Sequence, residues 1–228
     1  MKIYKSLFWL LMLSTSLYAD KIDNVRFADL NILDGLPQNT VNCITQDNQG
    51  FIWLGTRNGL SKFDGYELHN YSNSDNDSLS LTNNFIISTH KDMKGRVWVL
   101  TERGICRYNQ LSDNFKRYNL WDGYRVLRGS FFCESKNGKL YISTFNDIYT
   151  YNELTDKFEI LINSIQLQRN EVFGVFSISI DDNDVMWIGS LNGINWYDMS
   201  NRVFSPTLIN NSLYNQLKGL QITRILSA

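Results

Sequence analysis

Short apolar stretches alternate with polar turns along most of the chain. Between Val41 and Tyr71, stretches of four to seven residues rich in β-branched and aromatic side chains are separated by turns such as Asn48-Gln49-Gly50 and Asp64-Gly65. Stretches of this length bounded by Gly, Asn and Asp predict β-strands joined by tight hairpins. We find no convincing ten-residue stretch with the 3.6-residue period of an amphipathic helix. The pattern therefore predicts an all-β protein.

The same pattern returns four times around an aromatic anchor. The anchors are spaced by 45, 43 and 46 residues and are Trp53, Trp98, Tyr141 and Trp187. Six residues after each anchor stands a residue suited to a turn, namely Gly59, Gly104, Asp147 and Gly193. Ten residues after each anchor stands another aromatic, namely Phe63, Tyr108, Tyr151 and Tyr197. Self-similarity at a fixed period indicates a repeat architecture.

Four strands in each repeat of 43–46 residues predict a β-propeller, with one four-stranded blade per repeat. The predicted blades cover approximately residues 36–72, 79–119, 129–162 and 172–206. We interpret the anchors and the glycines at 59, 104 and 193 as core and turn positions of the blades, not as a binding site.

The first residues have the layout of a secretory signal peptide. Lys2 and Lys5 precede a short apolar stretch from Leu7 to Leu17, and Ala19 is a small residue suited to a cleavage site. The sequence thus predicts a signal peptide at 1–19 and a partial propeller at 20–228, with an uncleaved membrane anchor as the alternative.

Both ends of the predicted propeller suggest a fragment. Residues 24–33 resemble an orphan outer strand, and residues 220–228 resemble the first strand of a fifth blade. Four blades with two open sheet edges would invite aggregation, so we expect a piece of a larger, about seven-bladed propeller. A closed four-bladed ring is the alternative, although it leaves the last strand unexplained.

The repeats resemble a known family. The segment from Leu33 to Gly65 contains LDGLPQ and GFIWLGTRNGLSKFDG and resembles the two-component regulator propeller repeat. The fourth repeat, DVMWIGSLNGINWYD, matches this pattern well. The second repeat departs from it at Leu100, where the family has Gly, and the third has Tyr141, Ser143 and Asp147 in place of Trp, Gly and Gly. The resemblance covers roughly residues 25–228.

The resemblance implies the N-terminal periplasmic part of a Bacteroidetes hybrid two-component sensor. Such proteins continue into further propeller blades, a β-sandwich, a membrane helix and a histidine kinase core, and they respond mostly to glycans or oligosaccharides. The implied partners are an oligosaccharide ligand, the remaining blades and downstream domains of the same sensor, and a second copy in a homodimer. His69 and His90 fall in predicted strands, so neither is a credible phosphoacceptor, and we expect no kinase core in this chain.

Composition narrows the alternatives. The 22 Lys and Arg nearly balance the 23 Asp and Glu, and this argues against a nucleic-acid partner. The hydrophobic fraction of 43% is high enough for a folded core. The three cysteines, Cys43, Cys106 and Cys133, are too few for a disulfide scaffold. We expect them to be buried thiols, with one disulfide and a leftover thiol as the alternative.

The sequence contains no recognisable catalytic or metal-binding motif. There is no H-E-x-x-H, C-x-x-C or G-x-S-x-G, and no phosphate-binding glycine loop. The acidic clusters Asp75/Asp77 and Asp181/Asp182/Asp184 lack the spacing of a calcium loop and fall where Asp favours turns. We predict no catalytic residue, metal or cofactor.

A binding surface is expected where loops enter the first strand of each blade and where second strands turn into third strands. The connecting loops are 72–84, 119–129 and 162–172. Aromatic rings there can stack on a sugar, and arginines can bind hydroxyls or a carboxylate through paired hydrogen bonds. The candidate ligand-binding residues are Trp121, Tyr124, Arg125, Arg128, Arg57 and Arg103. The alternative is that Trp121 and Tyr124 pack their loop onto the blade and the arginines are only solvated.

Three functional hypotheses follow. The leading one is a non-catalytic sensing module that repositions on binding a ligand. The second is an exported propeller enzyme such as a lyase or glycosidase, for which Asp122 and Glu171 are the only loop acids we would nominate. The third is a propeller that only docks a partner protein.

Overall fold

A computed structural model of the chain describes residues 29–118, 120, 131–204, 216–217 and 219–225. The chain divides into two units, Met1–Leu30 and Asn31–Ala228, and all the sheets lie in the second. Four four-stranded antiparallel sheets follow one another, each with its strands in chain order from first to fourth. The predicted propeller blades are confirmed.

The first and second blades contain eight strands. These are β1 (Val41–Gln46), β2 (Ile52–Thr56), β3 (Gly59–Phe63), β4 (Leu68–Tyr71), β5 (Ile86–Lys91), β6 (Val97–Thr101), β7 (Gly104–Asn109) and β8 (Asn114–Tyr118). The third and fourth blades contain β9 (Phe132–Glu134), β10 (Leu140–Ser143), β11 (Ile148–Asn152), β12 (Lys157–Ile162), β13 (Val175–Ile180), β14 (Val185–Ser190), β15 (Gly193–Asp198) and β16 (Val203–Phe204).

The predicted N-terminal strand is wrong in its described part. Ile32–Asp34 is a 3-10 helix, because the Asn31 side chain accepts the Leu33 N–H at 2.8 Å and Gly35 ends the turn with φ 101°. Residues 24–28 of that prediction, and the whole predicted signal peptide, lie outside the described residues.

One connection also differs in detail from the sequence pattern. The expected loop 162–172 contains a short helix, α1 (Ser164–Arg169), which Asn163 caps by accepting the Gln166 N–H at 2.9 Å. Neither helix so far described is long and apolar enough to cross a bilayer, and the same is true of every helix in the described residues.

The described part of the predicted fifth-blade strand forms no ladder, although it lies beside the fourth blade. The Ile222 N–H donates to the Ser190 carbonyl at 2.9 Å. A Cβ on Gly189 would lie 2.9 Å from Ile222, much as a Cβ on Gly55 would lie 2.6 Å from Ile86 in the second blade. That a fifth blade begins at residue 220 stays a prediction.

The core lies between blades, not within them. A sheet buries its apolar faces only against another layer, and three apolar clusters fill the spaces between consecutive blades. We call these spaces the first, second and third seams, in chain order. Trp53 and Trp98 are fully buried in the first and second seams, and Tyr141 is 4% exposed in the third. These three anchors are thus core residues, whereas the fourth, Trp187, is half-buried and lies in none of the three clusters.

A hydrogen bond within each blade fixes the anchor ring. The indole Nε1 of Trp53, Trp98 and Trp187 donates to the carboxylate six residues earlier, at 2.8, 2.8 and 2.9 Å. The acceptors are Asp47, Asp92 and Asp181. In the third blade Ser135 stands at this position and bonds Tyr141. Sequence analysis missed this partner, although the joint change from Asp–Trp to Ser–Tyr was a readable signal.

We expect Asp92→Ala to destabilise the protein by about 3 kcal/mol, because it leaves a buried indole N–H without its acceptor. Asp92 is 2% exposed and also accepts the Lys94 and Arg96 N–H groups at 3.0 and 2.8 Å. Urea unfolding followed by tryptophan fluorescence measures the loss.

The matched control is Asp182→Ala, whose side chain is 81% exposed in an ion pair with Lys136. Exposed pairs of this kind contribute at most about 1 kcal/mol. Equal losses in the two variants would contradict a structural role for the indole–carboxylate bond.

Candidate functional site

The turns between second and third strands share one construction at one face of the blades. Thr56 Oγ1 donates to the Gly59 carbonyl at 2.9 Å, and Thr101 Oγ1 donates to the Gly104 carbonyl at 3.0 Å. Gly59 has φ 130°, which favours glycine, and a Cβ there would lie 2.8 Å from the Tyr71 carbonyl. The turns therefore hold their two central residues outward. We call the surface formed by these turns and by the segments leading into first strands the loop face.

Arg57 and Arg103 occupy these turns. Both side chains are exposed, and neither forms an ion pair with a described residue. The Arg57 guanidinium carbon lies 5.6 Å from the centroid of the Phe85 ring, and the backbone N–H of Arg57 donates to Gln38 Oε1 at 3.2 Å. The Arg103 N–H donates to Thr101 Oγ1 at 3.1 Å. The loop face therefore offers two guanidinium groups from neighbouring blades.

Phenylalanines stand beside these turns, and the sequence reasoning missed them. The Phe85 and Phe173 carbonyls accept the N–H of the first turn residue in the same blade, at 3.0 and 2.9 Å, and the Phe131 carbonyl accepts the Ser143 N–H at 3.1 Å. Phe131 and Phe173 are 37% and 47% exposed. A phenylalanine just before the first strand in three blades was the available signal.

The other predicted ligand-binding residues lie outside the described part of the chain. Trp121, Tyr124, Arg125 and Arg128 belong to residues 121–130, so the structure does not report their contacts with Arg57 or Arg103. Their role stays a prediction. Tyr149 OH donates to the Leu120 carbonyl at 3.2 Å, which ties the start of this loop, just after the second blade, to the third blade.

A His–Tyr–Asp cluster lies on the outer part of the first two blades. Asp113 Oδ1 accepts the hydroxyls of Tyr71 and Tyr108, both at 2.6 Å, and His69 Nε2 lies 3.6 Å from Asp113 Oδ2. Burial, and next the bond to Asp113, raise the pKa of Tyr71 well above its ordinary value. Tyr71 is therefore a hydrogen-bond donor here and not a proton-abstracting base.

The acids nominated for the enzyme hypothesis are not brought together by the described residues. Asp122 lies outside them. Glu171 follows α1 with φ 59°, and its carbonyl accepts a bond from the Asn192 side chain. The described residues contain no cluster of three or more side chains suited to a metal ion. Asp181, from one predicted turn cluster, accepts the Trp187 indole and turn N–H groups.

The three cysteines are free thiols. Burial raises the pKa of Cys133 to about 12, and burial also raises the pKa of Cys43 and Cys106. Since the thiolate is the reactive form, none of them is suited to nucleophilic chemistry. Cys106 is buried, as predicted, whereas Cys43 and Cys133 are only partly buried.

A histidine and a glutamate face each other between the first strands of the second and third blades. His90 Nε2 lies 3.6 Å from Glu134 Oε2, and the His90 ring stacks on Phe132 at 5.6 Å between centroids. The Glu134 carboxylate accepts the Met93 N–H with both oxygens, at 3.0 and 2.9 Å. Burial lowers the pKa of His90, although Glu134 and then Asp92 act in the opposite direction.

Comparison with known proteins agrees with this geometry. A model of the family described as two component regulator propeller matches residues 35–58. Histidine kinase P4 of Formosa agariphila is 44% identical to the chain over 59 residues, which are 26% of this chain and 4% of that kinase.

Solved structures share the fold. The extracellular domain of the hybrid two-component system BT3049 from B. thetaiotaomicron has a TM-score of 0.66 at 25% identity, over 78% of this chain and 26% of that one. Virginiamycin B lyase from Staphylococcus aureus has a TM-score of 0.56 at 16% identity, over 76% of this chain and 58% of that one. At that identity the lyase shows a common fold alone.

These findings define a β-propeller of the kind found in the extracellular regions of bacterial sensors. Residues 35–58 match the two component regulator propeller model, and the fold is similar to part of the extracellular domain of a hybrid two-component system. The chain spans about a quarter of the length of the solved sensor domain that it matches.

We expect the stability of the protein to fall below about pH 6.5, in part because of His90. The folded pKa of His90 is lowered from its ordinary value of 6.5, so the unfolded chain binds the proton first as the pH falls. Its stabilising contribution is therefore present above pH 6.5 and is lost as the pH falls towards the folded pKa. The loss for one such group is at most about 1.4 kcal/mol per pH unit.

His90→Phe keeps an aromatic ring against Phe132 but does not titrate. Urea unfolding of both proteins between pH 8 and pH 5 should show a shallower pH dependence for the variant. Parallel curves would show that His90 does not carry this part of the acid sensitivity.

Proposed function

We propose that this chain is the ligand-sensing part of a hybrid two-component signalling protein, that it binds an oligosaccharide at the loop face, and that it performs no catalysis. The proposal includes export to the periplasm of a Gram-negative cell, continuation into further blades and cytoplasmic signalling domains, and pairing of two copies of the sensor.

The loop face carries this proposal. Arg57 and Arg103 present guanidinium groups with no ion-pair partner among the described residues, and part-exposed rings of Phe131 and Phe173 stand on the same face. Guanidinium groups form paired hydrogen bonds with oxygens, and aromatic rings offer flat apolar surfaces with little conformational entropy to lose. This combination suits the hydroxyls and the apolar ring faces of a sugar chain. Trp121, Tyr124, Arg125 and Arg128 would extend it.

Calorimetric titration with a panel of neutral and uronate-containing oligosaccharides tests the proposal. We expect at least one ligand to bind, and we expect Arg57→Ala/Arg103→Ala to weaken it by about tenfold or more, since charge-assisted bonds contribute about 1.5–3 kcal/mol each. Trp121→Ala/Tyr124→Ala should weaken it similarly.

The matched control for the titration is Lys136→Ala, which removes an exposed cation from a first-to-second strand turn, at the opposite edge of its blade. If neither the arginine variant nor the aromatic variant changes the affinity for the oligosaccharide, the ligand binds outside the loop face. Absence of binding by the entire panel would contradict oligosaccharide sensing.

Catalysis is tested with the same panel. We expect no chain cleavage of polysaccharide or oligosaccharide by the purified protein, because the described tyrosines of the His–Tyr–Asp cluster are hydrogen-bond donors. Turnover that is lost in Asp122→Asn or Glu171→Gln would replace the sensing hypothesis by the enzyme hypothesis.

A further inference from the structure

The first two seams are fastened at their outer rim by the same polar arrangement. At the first seam Asp113 accepts Tyr71 from one blade and Tyr108 from the next, each at 2.6 Å. Lys62 Nζ donates to the Tyr108 hydroxyl at 3.1 Å. We call this arrangement of one carboxylate, two tyrosines and a cation the latch.

The second seam repeats the latch with stronger charges. Asp156 accepts the Tyr118 hydroxyl at 2.7 Å and also that of Tyr151. Arg107 Nη1 lies 3.1 Å from Asp156 Oδ1, and the Lys116 ammonium forms an ion pair with the same carboxylate. Burial opposes the charge of Asp156, but bonds from Lys116 and the tyrosines hold its pKa well below the ordinary range.

At the third seam only one of the four latch positions holds the same residue type as in the other seams, namely Tyr197. Arg202 stands at the turn position of Asp113 and Asp156, and the three residues have φ 57°, 49° and 50°. Ile162 of the third blade occupies the strand-pairing position that Tyr118 occupies in the second blade. Thr150 lies opposite the anchor Tyr141, at the position where Arg107 lies opposite the anchor Trp98. The tyrosine, the cation and the carboxylate have thus changed together.

Most remaining contacts of the third seam are apolar, apart from the Val175 N–H, which donates to the Phe145 carbonyl at 3.0 Å across the seam. Its cluster includes Ile148, Ile162, Val175, Ile178, Met186 and Ile188. The ion pair that crosses it among the described residues, Lys136–Asp182, joins side chains that are 63% and 81% exposed. The other two seams are crossed by hydrogen bonds at or beside the first strands of their blades. A Thr45–Thr89 hydroxyl bond at 2.7 Å crosses the first seam, and the bonds from the Met93 N–H to the Glu134 carboxylate cross the second.

A cavity of about 310 Å³ also lies at this seam, between β9 and β13. It is lined by residues 131–134 and 177–180, with Arg224 and Ile225 at its side. Apolar contact is non-directional, whereas charged, paired hydrogen bonds fix geometry. Elements packed mainly through apolar surface can slide by small amounts while staying buried, which is the shear mode of domain movement.

We propose that the third seam is the compliant joint of this propeller, across which the fourth blade slides against the latched body of the first three. The joint follows from the contacts alone. That a bound oligosaccharide sets its position, and so signals to downstream domains, rests in addition on the proposed function.

Spin-label distances across matched turns test the joint. Cysteines at Leu111 and Leu154, which are 99% and 97% exposed, report on the second seam. Cysteines at Leu154 and the exposed Ser200 report on the third seam at the equivalent turn positions. The parent protein, labelled in the same way, measures any background from its native thiols. We expect the distance distribution across the third seam to be about twofold wider than that across the second.

Adding the latch residues to the third seam, and weakening the latch of the second seam, gives the decisive comparison. Thr150→Lys/Ile162→Tyr/Arg202→Asp should narrow the third-seam distribution to the second-seam width. Asp156→Asn, at a side chain that is 33% exposed, should widen the second seam, and it keeps the test decisive if the triple variant fails to fold. Equal widths in the parent protein, or no widening in Asp156→Asn, would overturn the proposal.

Titration of the labelled proteins with the oligosaccharide panel separates the two claims. A ligand that binds should narrow or shift the third-seam distribution and leave the second unchanged, while the latched variant should bind it equally well without a shift. A ligand that shifts neither seam contradicts the signalling role. If no oligosaccharide binds, the proposed function fails, and the label widths still decide the joint.

Discussion

Every feature of this molecule depends on the burial of blade faces against neighbouring blades. A four-stranded sheet of this size has two partly apolar faces and no core of its own. The anchor rings fill the seams, and the bond from each tryptophan Nε1 to the carboxylate six residues earlier lets a large ring with a polar edge be buried without an unsatisfied donor. This one constraint fixes the repeat length, the aromatic positions and the turn between first and second strands.

The sequence predicted the repeated part of the fold because that part is specified by the same positions in every blade. The four blades, the turn glycines and three of the four anchors agree with the structure. The N-terminal strand was wrong over its described residues, because the Asn31 cap and Gly35 favour a 3-10 turn that a hydrophobic pattern does not register. Helix α1 was missed for a similar reason, since six residues are too few to display a helical period.

The candidate site was only partly predictable. Arg57 and Arg103 lie in turns whose place follows from the repeat, so their exposure could be inferred. The phenylalanines beside these turns were missed, although they precede the first strand in three blades, and the carbonyl bonds of Phe85 and Phe173 place them at the loop face. Ligand choice depends on such non-repeated residues, because a fold fixes where a site lies and not what it binds.

Departures from the repeat carry as much information as the repeat itself. A Ser135 that accompanies Tyr141 preserves a bond in altered form, so it is a compensated change in the core. The change to Thr150, Ile162 and Arg202 preserves none, although Tyr197 stays buried at 4% exposure and the apolar cluster stays intact. Burial is therefore maintained at the third seam, while the carboxylate–tyrosine latch at its outer rim is absent. A blade interface that keeps its stability but loses its geometric constraint is one where a modest ligand-binding energy is sufficient to produce movement.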